Sequence, residues 1–536
     1  MSEGIVLVGL PGSGKSAVGR NLAERLDRPF FDLDAEIARA AGRSPAEIID
    51  NDGEPAFRAL ERRALEKACS EPRAVIGTGG GTPLDPLNRW TLMSHGLRVR
   101  LDAPLDRLAD RLASDTVSRP LLGSDLLAGL SRTAEARAAV YRAVDVTIDA
   151  SEPVDVVAGR VIEAQQAHEA ARTDGWRPLY DASYRRHHPG GPEAGRVVLG
   201  RNLDPAAVQY LLAPFDGHVP AVVADARALD AHPRLAAALP TPRSHLLEGG
   251  EQAKSFTRLH ELLTWLSAAG AERGDPLVAV GGGTIGDVAG LAAALHHRGM
   301  ALVHVPTTWL AQADSSIGGK VAIDLPGAKN AVGAFWPAWL IISDTTLLDT
   351  LPVRQRRDGM AEVLKCGLIG DPLLWELIEI RGAGALAGND AAAGYAMTER
   401  AARVKLDVVE RDPYERDERR TLNLGHTVGH ALEVESGYQL PHGEAVGLGL
   451  RAVAHIAAGR DAERGLAERI DEVLIGLGFP LRRRFDAAAV RGALGSDKKR
   501  VRGRQRWILP VAVGRVAQVD DVTDAELDAA LAAIGE

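Results

Sequence analysis

Residues 9–16 read GLPGSGKS, and this stretch decides the fold of the first part of the chain. It follows the apolar run of residues 5–8 and precedes a helical pattern over residues 16–26. A strand, a glycine-rich loop ending in Gly-Lys-Ser and a helix, in that order, are typical of a phosphate-binding loop. The backbone amides of such a loop and the positive end of the helix dipole face phosphate oxygens. We therefore predict a nucleotide site here rather than a glycine turn that binds nothing.

The residues of this loop have separate predicted roles. Gly12, Ser13 and Gly14 let the backbone turn toward the phosphates. Lys15 reaches the β- and γ-phosphates, and the hydroxyl of Ser16 binds Mg²⁺. The cofactor that this pattern predicts is ATP with Mg²⁺.

Outward from the loop, short apolar strands alternate with helical segments across residues 1–165. This alternation predicts a P-loop domain with a parallel α/β sheet and helices on both faces. The predicted strands are residues 5–8, 74–76, 98–101 and 144–148, and the predicted helices are residues 16–26, 55–68 and 134–141.

The periodic pattern stops over residues 166–195, where residues 185–192 read RRHHPGGP. A polar, turn-rich stretch of this kind predicts a linker. The alternative is a structured connection that packs on one of the domains.

A second α/β pattern occupies residues 196–339, and a mostly α-helical pattern occupies residues 340–536. The strands predicted in the α/β part are residues 197–199, 221–224, 277–280 and 302–305. The helices predicted in the last part are residues 356–368, 395–409 and 444–458.

The overall composition excludes several classes of protein. The 536 residues carry 63 basic and 72 acidic side chains, so a nucleic-acid binder with a dominant basic field is not expected. No run of about 18 apolar residues is present, so no membrane span is expected. The two cysteines, Cys69 and Cys366, form neither a disulfide framework nor a CxxC site. Since the N-terminus also lacks the basic start of a signal peptide, we expect a cytoplasmic protein.

Polar residues suited to a small acid follow the phosphate loop. Asp32 and Asp34 come after an apolar segment, and strand alternation predicts that both carboxylates lie on one side of a strand end. Three glycines, residues 79–81, follow a predicted strand and allow a ligand to approach the backbone closely. Each arginine nearby is, taken alone, more typical of a solvated surface than of a site. These arginines are Arg58 and Arg137 on predicted helices and Arg119 in a predicted loop.

Together with the phosphate loop, these residues resemble the shikimate kinases over residues 1–165. The resemblance implies that the residues holding shikimate are Asp34, Arg58, Gly80 and Arg137. The chemistry agrees, because an arginine pairs well with a carboxylate and an aspartate with neighbouring hydroxyls. The resemblance also implies that Asp34 orients or deprotonates the attacking 3-hydroxyl and that Arg119 neutralises the transferring phosphoryl group. Asp32 is expected to position Mg²⁺, either directly or through water.

A second glycine loop, residues 281–287, reads GGGTIGD and follows the strand predicted at residues 277–280. Such a loop lets phosphate approach the backbone, but it does not match the GxGxxG pattern, and a plain turn is the alternative. Asp225, Glu251 and Lys254 lie upstream at spacings suited to a ribose and its neighbours.

A histidine cluster is the most informative feature of the second half of the chain. His426 and His430 are four residues apart and therefore share one face of a helix. His442 follows, and Glu362 offers a carboxylate from another predicted helix. Two imidazoles and one carboxylate suit a catalytic Zn²⁺ with an open coordination position. Spacing alone does not decide which histidines bind the metal, and Thr427 in place of a glutamate argues against a zinc protease.

The motifs from Asp225 to Lys499 resemble 3-dehydroquinate synthase. The resemblance implies an NAD-binding α/β domain over residues 196–339 and a helical metal- and substrate-binding domain over residues 340–536. By the same resemblance, Glu362, His426 and His442 bind Zn²⁺ or Co²⁺, and His430 is a catalytic imidazole that faces substrate or water. The residues assigned to NAD⁺ are Asp225, Glu251, Lys254, Gly282, Gly283, Asp287, Thr307, Thr308 and Lys329.

The resemblance also assigns the substrate site. The substrate-binding residues are Lys320, Asn330, Lys365, Lys405, Arg419 and Asn423, and the catalytic residues besides His430 are Lys320 and Asp314. Arg298 and either Lys498 or Lys499 match phosphate-binding positions. A homodimer is implied, and the resemblance leaves open whether a site uses its own Arg298 or Arg298 of the partner subunit. A cation set of this size suits 3-deoxy-D-arabino-heptulosonate 7-phosphate, which carries a phosphate and a carboxylate.

Both halves together predict a bifunctional enzyme of chorismate biosynthesis that acts on small molecules. One half phosphorylates shikimate, and the other converts the heptulosonate phosphate to 3-dehydroquinate, with NAD⁺ reduced and regenerated in each turnover. Three alternatives stay open at this point: another sugar-phosphate cyclase, a metal-dependent polyol dehydrogenase, and a non-catalytic kinase half that acts as a scaffold or shikimate sensor.

Overall fold

The structure of the protein is a computed structural model that describes residues 4–114, 122–123, 125–171, 175–188, 191–239, 243–496, 500–501 and 504–536. The chain divides into two compact units. Unit 1 comprises Met1–Ser183 and Val198–Leu203, and unit 2 comprises Tyr184–Val197 and Asp204–Glu536. The predicted order of an α/β region, a second α/β region and a mostly helical region is confirmed. The domain boundaries given above stay predictions.

Unit 1 consists of short strands and helices in alternation. Its strands are β1 (Gly4–Val8), β2 (Phe30–Asp32), β3 (Val75–Gly77), β4 (Gly96–Asp102) and β5 (Val146–Asp149). Its helices are α1 (Lys15–Leu26), α2 (Leu33–Ala41), α3 (Pro45–Asp52), α4 (Glu54–Cys69), α5 (Pro86–His95), α6 (Leu105–Ala113), α7 (Leu126–Arg142) and α8 (Val154–Ala171).

These strands form one parallel sheet in the order β2-β3-β1-β4-β5. β1 lies at the centre, and its side chains alternate between two cores. Ile5 and Leu7 pack in the core that α1 and α8 cover, whereas Val6 and Val8 pack in the core that α4 covers. A strand buried on both faces needs an apolar residue at every position, which explains the apolar run before the glycine loop.

The prediction for Asp32 and Asp34 was wrong in its geometry. Strand alternation was expected to place both carboxylates on one side, but β2 ends at Asp32 and α2 begins at Leu33. The side chain of Asp32 caps α2 by accepting a hydrogen bond from the amide of Ala35, and Asp34 lies in the first turn of that helix. Because an N-cap carboxylate satisfies an amide that the helix leaves unpaired, capping outweighed the strand pattern here.

The segment that the sequence predicts as a linker contains regular structure. α8 continues to Ala171, and two strands follow, β6 (Arg177–His188) and β7 (Gly191–Arg201). Within unit 1, Nε of Arg177 donates to Asp145 over 2.8 Å, and its Nη2 donates to the carbonyl of Gly96 over 2.9 Å. The alternative of a structured connection that packs on a domain therefore describes this segment better than a linker does.

Unit 2 combines a sheet with a group of helices. Its remaining strands are β8 (Ala221–Asp225), β9 (Ser244–Leu247), β10 (Pro276–Gly281), β11 (Ala301–Pro306), β12 (Lys320–Leu325), β13 (Ala328–Phe335), β14 (Leu340–Asp344), β15 (Arg500–Val501), β16 (Arg504–Gln505), β17 (Trp507–Ala512) and β18 (Arg515–Val519). Its helices are α9 (Pro205–Leu212), α10 (Ala226–Ala231), α11 (Pro233–Ala238), α12 (Phe256–Ala268), α13 (Gly283–Leu295), α14 (Val353–Gly370), α15 (Pro372–Ala387), α16 (Ala391–Arg411), α17 (His426–Glu435), α18 (His442–Ala458), α19 (Leu466–Gly476), α20 (Ala487–Ser496) and α21 (Asp524–Ile534).

The sheet of unit 2 has the strand order β6-β7-β14-β11-β10-β8-β9. The strands from β14 to β9 run parallel to their neighbours. β10 is buried along its whole length and ends at Gly281, and α13 begins at Gly283. The second glycine loop is therefore the turn from a buried strand into a helix N-terminus, as its position in the sequence predicts.

The helices from α14 onward share one apolar core. α14 and α18 are buried along most of their length, which places the polar residues of these helices inside the unit. The antiparallel pair of β17 and β18 was not predicted from the sequence. Trp507, Ile508 and Leu509 of β17 pack on this core. None of the described helices is long and apolar enough to span a bilayer.

Candidate active sites

The phosphate loop lies at the carboxyl end of β1. Gly12 and Gly14 have φ angles of 81° and 88°, which residues with a Cβ rarely adopt. The ammonium of Lys15 donates to the carbonyl of Gly9 over 3.0 Å and so lies across the loop. The hydroxyl of Ser13 is buried and has no hydrogen-bond partner among the described residues. A bound phosphate would give that hydroxyl a partner, so the loop fits the predicted nucleotide.

The two side chains predicted to handle Mg²⁺ touch each other. Oγ of Ser16, in the first turn of α1, donates to Oδ2 of Asp32 at the end of β2 over 2.5 Å. Hydroxyl and carboxylate oxygens are the ligands that Mg²⁺ prefers beside substrate phosphates. The pair therefore fits the ion, and the individual roles of Ser16 and Asp32 stay predictions.

Three side chains predicted to hold the substrate meet at the glycines of residues 79–81. A Cβ on Gly79 would lie 2.7 Å from Oδ1 of Asp34. A Cβ on Gly80 would lie 2.6 Å from Nη1 of Arg137, and a Cβ on Gly81 would lie 2.6 Å from the terminal nitrogens of Arg58. Asp34, Arg58 and Arg137 come from α2, α4 and α7, so the fold assembles them from distant parts of the sequence. A Cβ at any of the three positions would clash with these side chains, so only glycine lets them approach the backbone this closely. We call the three glycines with Asp34, Arg58 and Arg137 the glycine pocket.

The two arginines of this pocket differ in their surroundings. Nη2 of Arg58 donates to Glu54 over 2.8 Å, and its Nη1 donates to Glu61 over 2.9 Å. Glu61 is buried and also accepts a hydrogen bond from the hydroxyl of Thr82 over 2.7 Å. Nη1 of Arg137, in contrast, is buried without a hydrogen-bond partner in the described part of the chain. A fixed guanidinium, a second one with an unsatisfied Nη1 and a carboxylate suit a small acid that carries hydroxyls.

Two residues that organise this pocket, Glu61 and Tyr141, were not predicted from the sequence. A glutamate three residues after an arginine on a helix, such as Glu61 after Arg58, is nevertheless a recognisable pairing signal. Tyr141 lies on α7, one turn after Arg137. Its hydroxyl lies 2.8 Å from the carbonyl oxygen of Gly80 and 3.1 Å from that of Gly9, so it joins the pocket to the phosphate loop. Arg119, the predicted lid residue, lies outside the described residues.

In unit 2, the histidine cluster and Glu362 form a compact group of possible metal ligands. One ligand atom from each of Glu362, His426 and His442 lies within 4.8 Å of the others. Nε2 of His426 and Nε2 of His442 are 3.2 and 3.1 Å from Oε1 of Glu362. Nδ1 of His426 lies 3.1 Å from the carbonyl oxygen of Leu424, which orients the ring with Nε2 toward Glu362. This donor set fits Zn²⁺ with an open position for substrate.

His430 has a different position from the two ligand histidines. Its ring centroid is 5.2 Å from that of His426, but it is not a member of the compact group found among the described residues. It lines a cavity of unit 2 instead. Geometry thus separates His430 from the metal ligands, which spacing alone did not, and its catalytic role stays a prediction.

The metal-ligand group is strongly charged. Burial disfavours the imidazolium of His442, but hydrogen bonds to Glu362 and Glu433 outweigh it and raise the pKa of His442 to about 10. Burial lowers the pKa of His426. Burial also opposes the charge of Glu362, yet Lys365 and the histidines hold the pKa of Glu362 well below its usual range. Without a metal the group therefore carries a proton on His442 that a cation would displace.

The cavity lined by His430 has a volume of about 720 Å³. The predicted site residues that line it are Asp287, Asp314, Lys320, Asn330, Lys405, Asn423 and His430. Oδ1 of Asp314 lies 3.4 Å from Nζ of Lys365 and 3.0 Å from Nζ of Lys405. Lys365 also pairs with the metal-ligand candidate Glu362. Lys365 therefore connects the metal-ligand group to the cavity.

A further acidic residue at the cavity escaped the sequence analysis. Glu415 lines the cavity, pairs with Lys320 and accepts a hydrogen bond from the side-chain amide of Asn423 over 2.9 Å. No sequence motif marked it, because it lies in an irregular loop between α16 and α17. Glu415 thereby holds two predicted substrate-binding side chains at the cavity wall.

Arg419 is placed differently from what the resemblance implies for a substrate ligand. It is buried, and its guanidinium donates to the carbonyls of Gly318 and Pro413 over 2.8 and 2.6 Å. The next residue, Arg420, lines the cavity instead. Arg419 supports the cavity wall in this arrangement, and direct contact of Arg419 with substrate stays a prediction.

The residues predicted for NAD⁺ gather around the second glycine loop. Nζ of Lys254 donates to Oδ2 of Asp287 over 2.7 Å and also pairs with the side chain of Asn330. Burial raises the pKa of Asp287 to about 6, although the charge of Lys254 opposes the shift. The amide of Thr307 donates to the carbonyl of Gly281 over 3.0 Å, which joins β11 to the loop. These contacts place a lysine beside the N-terminus of α13, and both attract a phosphate.

Other cofactor positions surround the same loop. A Cβ on Gly282 would lie 3.1 Å from Cγ2 of Thr308, so this glycine packs closely on that threonine. Oδ2 of Asp225 would lie 2.2 Å from a Cβ on Gly249, which places the Asp225 carboxylate beside the backbone of the loop before Glu251. Gly283 begins α13. Of the predicted phosphate ligands, Arg298 is exposed after α13 and does not line the cavity. Lys498 and Lys499 lie outside the described residues.

Comparisons with protein families agree with the two sites. Residues 11–166 match the family model described as shikimate kinase. Residues 244–358 match the model described as 3-dehydroquinate synthase N-terminal, and residues 359–500 match its C-terminal counterpart. The first match includes residues 11–16 of the phosphate loop and the glycine pocket. The other two matches include the metal-ligand group and most of the residues that line the cavity.

Individual proteins give the same result for unit 2. A 3-dehydroquinate synthase of Koribacter versatilis is 41% identical over 280 residues, which are 52% of this chain and 76% of that protein. A solved 2-epi-5-epi-valiolone synthase, ValA of Streptomyces hygroscopicus subsp. jinggangensis, with NAD⁺ and Zn²⁺ bound, is 30% identical, with a TM-score of 0.57 over 63% of this chain and 95% of its own. A solved 2-deoxy-scyllo-inosose synthase complexed with carbaglucose-6-phosphate, NAD⁺ and Co²⁺ is 27% identical, with a TM-score of 0.56 over 65% and 99%.

Proposed function

The chain belongs to the 3-dehydroquinate synthase family and carries a shikimate kinase domain in its first part, and on that premise we propose that it catalyses two steps of chorismate biosynthesis. Unit 1 transfers a phosphoryl group from ATP to the 3-hydroxyl of shikimate. Unit 2 converts 3-deoxy-D-arabino-heptulosonate 7-phosphate to 3-dehydroquinate and phosphate. Two observations support the proposal: Asp34, Arg58 and Arg137 meet at the glycines of residues 79–81 in unit 1, and Glu362, His426 and His442 form one compact group of candidate metal ligands in unit 2.

In unit 1, the loop amides and Lys15 hold the phosphates of ATP, and Ser16 with Asp32 holds Mg²⁺. Shikimate lies over the glycines of residues 79–81. Its carboxylate pairs with Arg137, whose buried Nη1 otherwise lacks a partner among the described residues, and with Arg58. Asp34 accepts the proton of the attacking hydroxyl or orients it, and Arg119 balances the charge of the transferring group.

In unit 2, Glu362, His426 and His442 hold Zn²⁺ or Co²⁺, the ions bound by the two solved relatives. When bound, the metal would supply Lewis-acid polarisation of a substrate hydroxyl, and NAD⁺ would supply a reversible hydride acceptor. The chain itself orients these groups. Gly282, Gly283 and the start of α13 face the pyrophosphate, Glu251 and Asp225 bind ribose hydroxyls, and the remaining cofactor contacts come from Lys254, Asp287, Thr307, Thr308 and Lys329.

The cavity residues hold the anionic substrate and move its protons. Lys320, Lys365 and Lys405 pair with its phosphate and carboxylate, with Asn330 and Asn423 as hydrogen-bonding partners. Burial lowers the pKa values of Lys320 and Lys405, although nearby carboxylates raise them, so an incoming anion stabilises their charged forms. His430 and Asp314 line the cavity at positions from which they can exchange protons with the substrate.

A valiolone synthase is among the similar proteins. The second candidate function for unit 2 is therefore that of another sugar-phosphate cyclase. Identity favours dehydroquinate, since the synthase of that name is 41% identical and the valiolone synthase 30%. A polyol dehydrogenase differs from both because it would accumulate NADH.

The test is phosphate release by the purified full chain, stripped with a chelator and then given zinc or cobalt. We expect release from the heptulosonate 7-phosphate with catalytic NAD⁺ and without accumulated NADH. A non-carboxylated heptulose 7-phosphate serves as the matched substrate. Faster release from that compound would assign unit 2 to another cyclase, and steady NADH formation with a polyol would assign it to a dehydrogenase.

Two further properties belong to the same proposal. Family membership supports a homodimer formed through the synthase part, in which Arg298 of the partner subunit contacts the substrate phosphate. The two free cysteines, Cys69 and Cys366, support a reducing compartment such as the cytoplasm. Sedimentation of the purified chain tests the first property.

A further inference from the structure

Glu433, a residue without an assigned role, lies between the metal-ligand group and the cofactor residues. It is on α17, and only 5% of its side chain is exposed. Its Oε1 lies 3.5 Å from Nδ1 of His442 and 3.5 Å from Nζ of Lys329. One carboxylate oxygen thus faces both a metal-ligand imidazole and an ammonium assigned to NAD⁺.

Lys329, on β13, has a second acidic neighbour. Its Nζ lies 3.6 Å from Oε1 of Glu251, which is assigned to the ribose of NAD⁺, and 4.7 Å from the ring centroid of Tyr438. The Lys329 side chain is 30% exposed, whereas Glu433 is buried. The lysine is therefore the more accessible member of the pair, and it lies between Glu433 on the metal side and Glu251 on the cofactor side.

The interactions of His442, Glu433 and Lys329 depend on one another. His442 points Nε2 toward Glu362 and Nδ1 toward Glu433. A carboxylate on the far nitrogen of a metal-ligating histidine orients the ring and makes the ligating nitrogen more basic. Lys329 competes with His442 for the same oxygen of Glu433, so any group that draws Lys329 away leaves that oxygen to the imidazole.

We propose that Glu433 is a positioning residue that couples metal binding to NAD⁺ binding through Lys329. The anionic NAD⁺ draws Lys329 toward Glu251 and the cofactor, Glu433 then interacts more strongly with His442, and the metal is held more tightly. The coupling is reciprocal, so the metal tightens NAD⁺ binding by the same factor. This inference rests on the zinc and NAD⁺ sites of the proposed function.

The test measures zinc affinity of the metal-stripped full chain by competition with a chromophoric chelator, with and without saturating NAD⁺. In the wild type, NAD⁺ should tighten zinc binding by at least about fivefold. Glu433→Gln should weaken zinc binding without NAD⁺ by about 10–100-fold and reduce the effect of NAD⁺ to less than about twofold. Lys329→Met should likewise remove the effect of NAD⁺ on zinc affinity.

The matched control is Glu435→Gln on the same helix, where the carboxylate accepts a hydrogen bond from the amide of Asp486 instead. It should keep the wild-type zinc affinity and the wild-type coupling. Circular dichroism confirms folding, and the more exposed Lys329→Met decides the question if Glu433→Gln does not fold. Full coupling in either variant, or none in the wild type, overturns the inference. A wild type that binds neither zinc nor NAD⁺ overturns the proposed function and the inference with it.

Discussion

Nε2 of His442 lies 3.1 Å from Oε1 of Glu362, at hydrogen-bond distance. A metal ion in the group must take the place of the proton between these two atoms. Because the pKa of His442 is raised from 6.5 to about 10, the metal-free imidazole is protonated throughout the neutral range. Metal binding then requires the loss of one proton.

The first prediction is therefore a pH dependence of metal affinity. The affinity for zinc should rise about tenfold per pH unit between pH 6.5 and 8.5, because His442 must lose a proton that it holds until about pH 10. Calorimetry in two buffers of different ionisation enthalpy should show about one proton released per ion. His442→Asn should bind zinc weakly and with a flatter pH profile. A wild-type affinity that is independent of pH over this range would contradict the prediction.

The glycine pocket of unit 1 gives the second prediction. Gly80→Ala would place a Cβ 2.6 Å from Nη1 of Arg137, so the guanidinium must move away from the substrate position. We expect the KM for shikimate to rise at least about tenfold, since about 1.4 kcal/mol of binding is a factor of ten, while the KM for ATP changes less. Gly159→Ala on α8 is the control, because its Cβ would meet no atom closer than 4.0 Å. Equal KM values for shikimate in both variants would remove Gly80 from the pocket.

The third prediction concerns the segment first interpreted as a linker. Asp145 is buried between Arg98 and Arg177, each with a nitrogen 2.8 Å from its carboxylate. Burial opposes the charge of Asp145, but the two arginines hold the pKa of this carboxyl far below its ordinary value. Asp145→Asn should lower the free energy of unfolding by about 3–5 kcal/mol, because it leaves the guanidinium groups of Arg98 and Arg177 without their anion.

We expect Asp145→Asn to lower the temperature at which heating inactivates the kinase. Arg177→Met should lower this temperature as well. The exposed Arg39→Met is the control. Since the folded pKa of Asp145 is depressed, its stabilisation is present above the ordinary carboxyl pKa of 3.8 and is lost as the pH falls below it. Unchanged heat inactivation in Arg177→Met would show that the segment does not stabilise the kinase.

The fourth prediction distinguishes two adjacent arginines. Arg420 lines the cavity, so Arg420→Ala should raise the KM for the heptulosonate phosphate about tenfold without a change in melting temperature. Arg419 donates to the carbonyls of Gly318 and Pro413 inside the unit, so Arg419→Ala should lower the melting temperature by several degrees, at about 2–4 °C per kcal/mol. The reverse pattern would assign substrate binding to Arg419 alone.

Much of this architecture could be predicted from local sequence patterns. The glycine loop after β1 and the loop after β10 were found because strand, glycine and helix signals follow each other in the sequence. Asp34 lies beside Gly79, but in a helix and not at a strand end, because the capping hydrogen bond of Asp32 starts α2 directly after the strand. Its role toward the substrate stays a prediction.

The residues that sequence patterns missed act through contacts between distant segments. Glu415 and Tyr141 contact Lys320 and Gly9, which are 95 and 132 positions away. Their residue types carry no motif, and their partners are set by the packing of helices and strands. Similarly, the sequence spacing could not show whether His426 or His430 is the metal ligand. The packing of α14, α17 and α18 brings only Glu362, His426 and His442 together among the described residues.

The presence of two separate active sites is tested most directly by measuring both activities in one preparation of the full chain and in two variants. Lys15→Ala should lower shikimate phosphorylation by at least about a hundredfold and keep phosphate release from the heptulosonate phosphate. Glu362→Gln should remove metal-dependent phosphate release and keep the kinase activity. Loss of both activities in either variant, or absence of either activity from the wild type, would contradict the assignment of two separate active sites to this chain.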